Sequence, residues 1–239
     1  MAFVRPFKPE DTQDCKFICR DTLPPSLQSS EGGIRAAPYL WLLQFTHLFP
    51  ENCFVLDDGE GKTVGYVIGV PDVYAFAEAY PRYVAEVLGS EQGRADVPVP
   101  RQLATREPST VADPATGNPA LNVDALAQEA YNFDWLVWGN ADKRALNAAY
   151  RSVLHINLLA PFRGQGWGRK MIDAFAQSVR RSAADVKDDE GKPRYSYGRG
   201  IHLGISGENT KVVPFYERVG FRVYPGGEKI NNVWMVMDL

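Results

Sequence analysis

The chain has little of several things, and each scarcity removes a class of protein. Cysteine occurs three times in 239 residues, at Cys15, Cys19 and Cys53. That is too few for a disulfide framework, so a reducing, intracellular and cytoplasmic setting is expected. Cys15 and Cys19 fall on one face if their segment is helical, but two thiols alone make a poor metal site and read as core residues. No apolar run is long enough to span a bilayer, and Met1-Ala2-Phe3-Val4-Arg5 does not open a secretory leader, so no membrane association is expected. Positive charge is not in surplus: 26 Lys and Arg against 29 Asp and Glu leave a formal charge of -3 and a pI near 5.7. A chain built to neutralise nucleic-acid phosphates shows the opposite balance. Internal repeats and low-complexity tracts are absent too. What remains is an ordinary globular composition, 45% hydrophobic and 23% charged, expected to form one domain over 1–239, monomeric or homodimeric, with an insertion at about 90–150.

Hydrophobic periodicity places the elements. Phe3 to Phe7 reads as a strand, followed by a helix carrying Cys15, Ile18 and Cys19. Tyr39 to Phe49 is a second helix, ended by Pro50. Cys53 to Leu56 and Val64 to Val70 flank a turn-forming Asp57-Asp58-Gly59-Glu60-Gly61-Lys62 and predict an antiparallel hairpin. Val73 to Leu88 has helical character that Pro81 should break or kink. Ser90 to Asn122 lacks periodicity and reads as a surface stretch, whereas Asp124 to Tyr150 is helical and carries Tyr131, Phe133, Trp135 and Trp138. Val153 to Leu159 is an apolar strand expected to be covered on both faces. Met171, Ile172, Phe175 and Val179 then repeat at helical spacing. Ile201 to Ile205 is a strand, Asn209 to Gly220 a short helix, and Phe221–Tyr224 with Asn232–Met237 a strand pair joined through Pro225-Gly226-Gly227.

Between the apolar strand and its helix lies Arg163-Gly164-Gln165-Gly166-Trp167-Gly168-Arg169. A strand running through glycines into a helix presents unpaired amides at the positive end of the helix dipole, which favours an anion. Gly164, Gly166 and Gly168 would let the backbone approach a pyrophosphate, and Arg163 and Arg169 would add charge. No Lys-Ser/Thr pair follows, which excludes a Walker A loop. Arg169 stands where a dinucleotide fingerprint needs glycine. Tight strand–helix packing remains the structural alternative.

Leu158-Leu159-Ala160-Pro161-Phe162-Arg163-Gly164-Gln165-Gly166-Trp167-Gly168 resembles motif A (Arg/Gln-x-x-Gly-x-Gly/Ala) of the GCN5-related N-acetyltransferases. Asn209 with Phe215-Tyr216-Glu217-Arg218-Val219-Gly220-Phe221 resembles their motif B. The likeness covers most of the chain except about 90–150. Through Tyr39-Leu40, Cys53 to Asp58, Gly65 to Asp72 and His155 to Leu159, the chain is most similar to the acetyltransferase-like domain of O-GlcNAcases and its stand-alone microbial relatives. The animal domains of that group lack a proper coenzyme loop, which this chain keeps.

The resemblance implies an α/β (α+β) fold: a central mixed, mostly antiparallel sheet flanked by helices, with one strand splayed at the coenzyme site. It implies acetyl-CoA as co-substrate, no metal, and direct attack by an amine acceptor in a ternary complex. Leu158, Leu159 and Ala160 would hold the pantetheine, with a strand N–H near Leu158 polarising the thioester carbonyl. Arg163 through Arg169 would hold the pyrophosphate, and Tyr216 would protonate the leaving thiolate. Asn209 would touch the coenzyme or cap its helix, and Pro214 must fall in a first helical turn. For the base, His155 titrates near neutral pH and Asp72 could bind or deprotonate a cationic amine; each has a bland alternative, as core imidazole and as helix cap. Asn157 and the aromatics Tyr131, Trp135 and Trp138 could line the acceptor pocket, or the aromatics could form a satellite core. A non-catalytic acetyl-CoA-binding module and a nucleotide-binding domain are the competing readings.

Overall fold

The computed structural model describes residues 1–112, 117, 119–226 and 232–239. Gly227 of the expected strand connection lies outside the described residues. The strands are β1 (Phe3–Pro6), β2 (Phe54–Asp57), β3 (Thr63–Val70), β4 (Thr110–Ala112), β5 (Pro119–Leu121), β6 (Ser152–Leu158), β7 (Gly200–Ser206), β8 (Arg222–Val223) and β9 (Asn232–Asp238). The helices of the first half are α1 (Thr12–Asp21), α2 (Pro25–Gln28), α3 (Glu31–Trp41), α4 (Leu43–Leu48), α5 (Val73–Tyr83) and α6 (Glu91–Asp96). Those of the second half are α7 (Val123–Tyr131), α8 (Ala141–Ala149), α9 (Trp167–Asp185) and α10 (Val213–Arg218).

Seven strands form one sheet in the order β1-β2-β3-β6-β7-β9-β8. Every neighbouring pair is antiparallel except β6–β7, and that parallel pair requires a crossover, supplied by α9. Side-chain alternation along the strands feeds two cores. On one face Tyr66, Ile68 and Val70 meet Cys15, Ile18, Leu40 and Phe76 from α1, α3 and α5. On the other, Leu154, Ile201, Leu203 and Met235 meet Met171, Ile172, Phe175 and Val179 of α9. All three cysteines are buried free thiols. Among the described residues no helix is long and apolar enough to cross a membrane.

Three expectations change. The second helix begins earlier, at Glu31, where the Ser30 hydroxyl accepts from the Gly33 amide, and it breaks at Leu42. Gly32 and Gly33 disguise that start because they are weak helix formers. They are needed for close packing: a Cβ at Gly32 would lie 2.6 Å from Val123, and one at Gly33 2.8 Å from Leu121. Pro81 does not break its helix, which runs on to Tyr83 and then widens into π turns over Val84–Leu88. The lost amide costs one rung, while buried Phe76, Tyr80 and Tyr83 keep the helix docked. The stretch after Ser90 contains α6, capped by Ser90, and the β4–β5 hairpin. Val97 enters the main core, so this stretch is pinned to the domain.

Candidate active site

The apolar strand is not covered throughout. β6 pairs with β7 only at Ser152↔Ile201 and Val153↔His202, whereas β7 stays paired with β9 from Gly200↔Asp238 to Ser206↔Asn232. Beyond Val153 a wedge opens between β6 and β7, and only Leu154 of the remaining β6 residues is fully buried. β6 meanwhile stays on β3 as far as Gly65↔Leu158, and the Leu159 amide donates to the Val64 carbonyl at 3.0 Å. Antiparallel pairs alternate, so His155, Asn157 and Leu159 direct their backbone groups at β3, and Leu154, Ile156 and Leu158 direct theirs into the wedge. The Leu158 carbonyl accepts from Arg163 Nε at 2.8 Å. The wedge therefore carries a strand edge with the Ile156 and Leu158 amides facing inward. Ile156 was missed from the sequence, although counting alternation back from the loop would have found it. Leu159 offers the wedge only a side chain, and Ala160 sits in the 3-10 turn Ala160–Phe162.

The wedge opens towards the glycine loop. Gly164 and Gly166 have φ of 74° and 81°, left-handed values that glycine adopts without strain, and an added Cβ at either would meet nothing within 4 Å. Gly166 is the N-cap of α9, whose first turn holds no acidic residue. The Trp167, Gly168 and Arg169 amides there fall in the turn that an α-helix leaves without internal partners. Lys170 stacks on the Trp167 ring at 4.3 Å, Gln165 donates to the Pro161 carbonyl at 2.6 Å, and Arg169 donates to the Arg218 carbonyl. An open backbone cradle with cations around it fits a diphosphate. Gly168 does something else: a Cβ there would lie 2.7 Å from Phe215 Cζ, so this glycine seats α10 against α9 rather than clearing space for an anion.

Downstream, Ser206 rather than Asn209 caps the 3-10 segment Gly207–Val212. Asn209 lies inside it at φ -125° and is exposed. Pro214 occupies the first turn of α10. The helix ends with the Phe221 amide donating to the Tyr216 carbonyl at 3.0 Å and the Gly220 amide to Glu217 at 3.1 Å, with Gly220 at φ 103°, a glycine-terminated helix end that fixes Tyr216 firmly. The Tyr216 ring packs on Phe215 and Phe221, with centroids 5.1 and 5.7 Å away. Burial pushes its phenol well above the ordinary value, so it keeps its proton at neutral pH.

His155 and Asn157 emerge from β6 on the α1 side of the sheet. Asn157 Nδ2 donates to the Tyr66 hydroxyl at 2.8 Å and to His155 Nε2 at 3.1 Å. Burial depresses His155 to about 4, so the ring is neutral, with its Nε2 lone pair engaged by Asn157. Asp72 is not brought to the site. Its carboxylate accepts from the Tyr74 and Ser196 amides at 3.0 and 2.9 Å and from Arg151 at 3.0 and 2.5 Å. It follows Val70, which pairs with Val153, five residues and roughly 17 Å along β6 from Leu158 at about 3.3 Å per residue. It is the cap of α5. Tyr131 and Phe133 pack on the main core and form no separate one: the Tyr131 hydroxyl donates to the Leu88 and Val97 carbonyls, both at 3.3 Å, and Phe133 packs on Phe76 at 5.1 Å, Tyr80 at 4.9 Å and Trp138 at 5.6 Å. Trp135 is half-buried in the adjoining turn Asp134–Trp138.

No family model matches the chain. Among solved structures it is similar to SsHAT, at 25% identity and a TM-score of 0.68, over 99% of this chain and 98% of that one. It is also similar to PH1933 from Pyrococcus horikoshii OT3 at 12% identity and a TM-score of 0.51, over 100% of this chain and 99% of that one.

Proposed function

We propose that this chain, whose fold is that of the GCN5-related N-acetyltransferases, transfers an acetyl group from acetyl-CoA to an amine. One observation carries the reading: the β6–β7 wedge, whose free strand edge leads into a helix N-terminus where Gly164 and Gly166 face open space. The Ile156 and Leu158 amides offer hydrogen bonds to an extended pantetheine arm, as a neighbouring strand would. The amides after Gly166, with Arg163, Arg169 and Lys170 near them, offer charge to the pyrophosphate. Acetyl-CoA, when bound, supplies an activated thioester. An inward amide at Ile156 would donate to the thioester oxygen, where negative charge grows during attack. Tyr216, kept protonated by burial, would give its proton to the departing sulfur. No nucleophilic side chain is needed, because holding amine and thioester together supplies much of the rate.

A non-catalytic acetyl-CoA-binding module is favoured by a different observation: His155 has its lone pair engaged and Asp72 lies at the far end of β6. An acceptor screen over peptide lysines, amino sugars and polyamines, read by thiol release, separates the two. Melting measured with coenzyme A, ATP and NAD should rise most with coenzyme A, since a ligand bound only by the folded state stabilises it. Stronger stabilisation by ATP or NAD would sink both readings. In an active protein, Tyr216→Phe should lower the transfer rate about 10²-fold or more with coenzyme affinity unchanged.

A further inference from the structure

The transfer needs a group to take a proton from the acceptor ammonium, and neither His155 nor Asp72 is placed to do so. Across the wedge from His155 stands β7. Its Ile201, Leu203 and Ile205 belong to the α9 core, so His202 and Gly204 look to the same face of the sheet as His155. The next strand presents Trp234 there, paired with Gly204. An ideal Cβ on Gly204 would lie 3.8 Å from the indole. Helix α8 covers this region. Leu146 packs with Tyr150 and Val236, and one turn earlier Lys143 reaches over Trp234, its Nζ 5.5 Å from the ring centroid. The described residues place no carboxylate within ion-pair distance of Lys143.

We propose that Lys143 is the general base of the transfer, its ε-amine overlooking the β7–β9 side of the wedge where the acceptor meets the thioester. The proposal rests on the acyltransferase reading above. Burial disfavours the ammonium, and desolvation lowers Lys143 to about 8, so part of it is free amine near neutral pH. The titratable and charged groups that face it come from β7, from the turn before α8 and from α8 itself. His202 of β7 is held by burial at about 3. Asp134, from the turn before α8, is 3.5 Å from Arg144; Asp142 and Arg144 are the charged neighbours on its own helix, and β9 presents Trp234.

The step balances. The acceptor arrives as R–NH3+, and one proton passes to Lys143 and on to water. The amine forms its N–C bond to the acyl carbon, and the C–S bond breaks. A second proton ends on sulfur by way of the Tyr216 hydroxyl, which is replenished from the acceptor nitrogen, and the third stays on the amide.

The test uses the full chain with an amine that turns over in the acceptor screen. Lys143→Met keeps the apolar stem on Trp234. It should leave coenzyme A affinity by calorimetry unchanged, lower kcat/KM about 10²–10⁴-fold, and abolish the rising limb of the pH profile near 8. Trimethylamine, which takes a proton but cannot become an amide, should restore part of the rate to Lys143→Ala. In wild-type protein carrying 13Cε-lysine, the resonance missing from Lys143→Met should titrate near 8, independent of any turnover. The proposal is overturned if Lys143→Met keeps the wild-type rate and limb, or if Lys143 titrates with ordinary lysines near roughly 10.4. It is also overturned if Lys143 is recovered as acetyl-lysine, which would make it an acceptor. A wild-type chain that binds coenzyme A yet acetylates no amine overturns the acyltransferase reading itself and this proposal with it.

Discussion

Gly168→Ala adds a methyl group at a point 2.7 Å from Cζ and 3.0 Å from Cε2 of Phe215. Carbon atoms settle at about 3.5–4.0 Å, so the ring or the helix must withdraw by roughly 1 Å. Phe215 cannot move alone, because α10 is six residues long and its end is tied down by the Gly220 turn. Overpacking by one methyl costs about 2 kcal/mol, while alanine improves on glycine in a helix by about 1 kcal/mol. The expected net loss is about 1 kcal/mol, or roughly 2–4 °C in melting temperature for a chain of this size. In a Phe215→Ala background the clash is gone and the sign reverses, so Gly168→Ala becomes stabilising, with a coupling of about 2 kcal/mol in the double-mutant cycle. Urea unfolding of the four proteins measures this, and coenzyme A titration of the same set tests the site. Coenzyme affinity lost in Gly168→Ala should return to the Phe215→Ala value in the double variant. A penalty that persists without the Phe215 ring, in stability or in affinity, refutes the packing role and restores Gly168 to the anion cradle.

Gly166→Ala should behave differently, because it meets empty space but must hold a φ of 81°. A cost of about 1–2 kcal/mol is expected, equal in the presence and absence of the Phe215 ring. Asp72→Ala removes a helix cap and the Arg151 pair, and should cost about 1–3 kcal/mol in urea unfolding. Transfer per folded molecule should be unchanged; a selective fall in kcat would contradict the placement of Asp72. His202 is buried and its folded value is about 3, against about 6.5 when unfolded. Above about 6.5 both states are neutral and stability is flat. As pH falls from about 6.5 to 3, the unfolded chain binds the proton first, so stability drops by up to a few kcal/mol. His202→Gln should make that fall shallower, leaving the smaller part due to buried His155 at about 4, and an equally steep profile in this variant would count against burial as the cause.

Much of the fold was readable because local chemistry and tertiary role coincide. The turn residues Asp57 to Lys62 sit between two apolar runs, and the hairpin forms where they predict it. Met171, Ile172, Phe175 and Val179 repeat at helical spacing, and α9 buries that face. Reading failed where a residue's reason is non-local. Gly32 and Gly33 look like helix breakers until Val123 and Leu121 are seen against them. Pro81 looks like a stop until the burial of Tyr80 and Tyr83 is seen.

The glycine loop was legible as a whole, but its three glycines have two different jobs. Gly164 and Gly166 are required by backbone conformation, a local property. Gly168 is required by Phe215, a residue 47 positions away, and no spacing rule reports that contact.

The sequence by itself determined the succession of the seven strands of the main sheet, the glycine loop and the helix that follows it, because periodicity and glycine conformation act over a few residues. Only the tertiary structure decided where β6 parts from β7, since pairing belongs to two strands distant along the chain. That parting selects the Ile156 and Leu158 amides over Leu159. It also leaves Asp72 at the far end of β6 and brings Lys143 over Trp234, because position along a strand becomes position in space only once its neighbours are set.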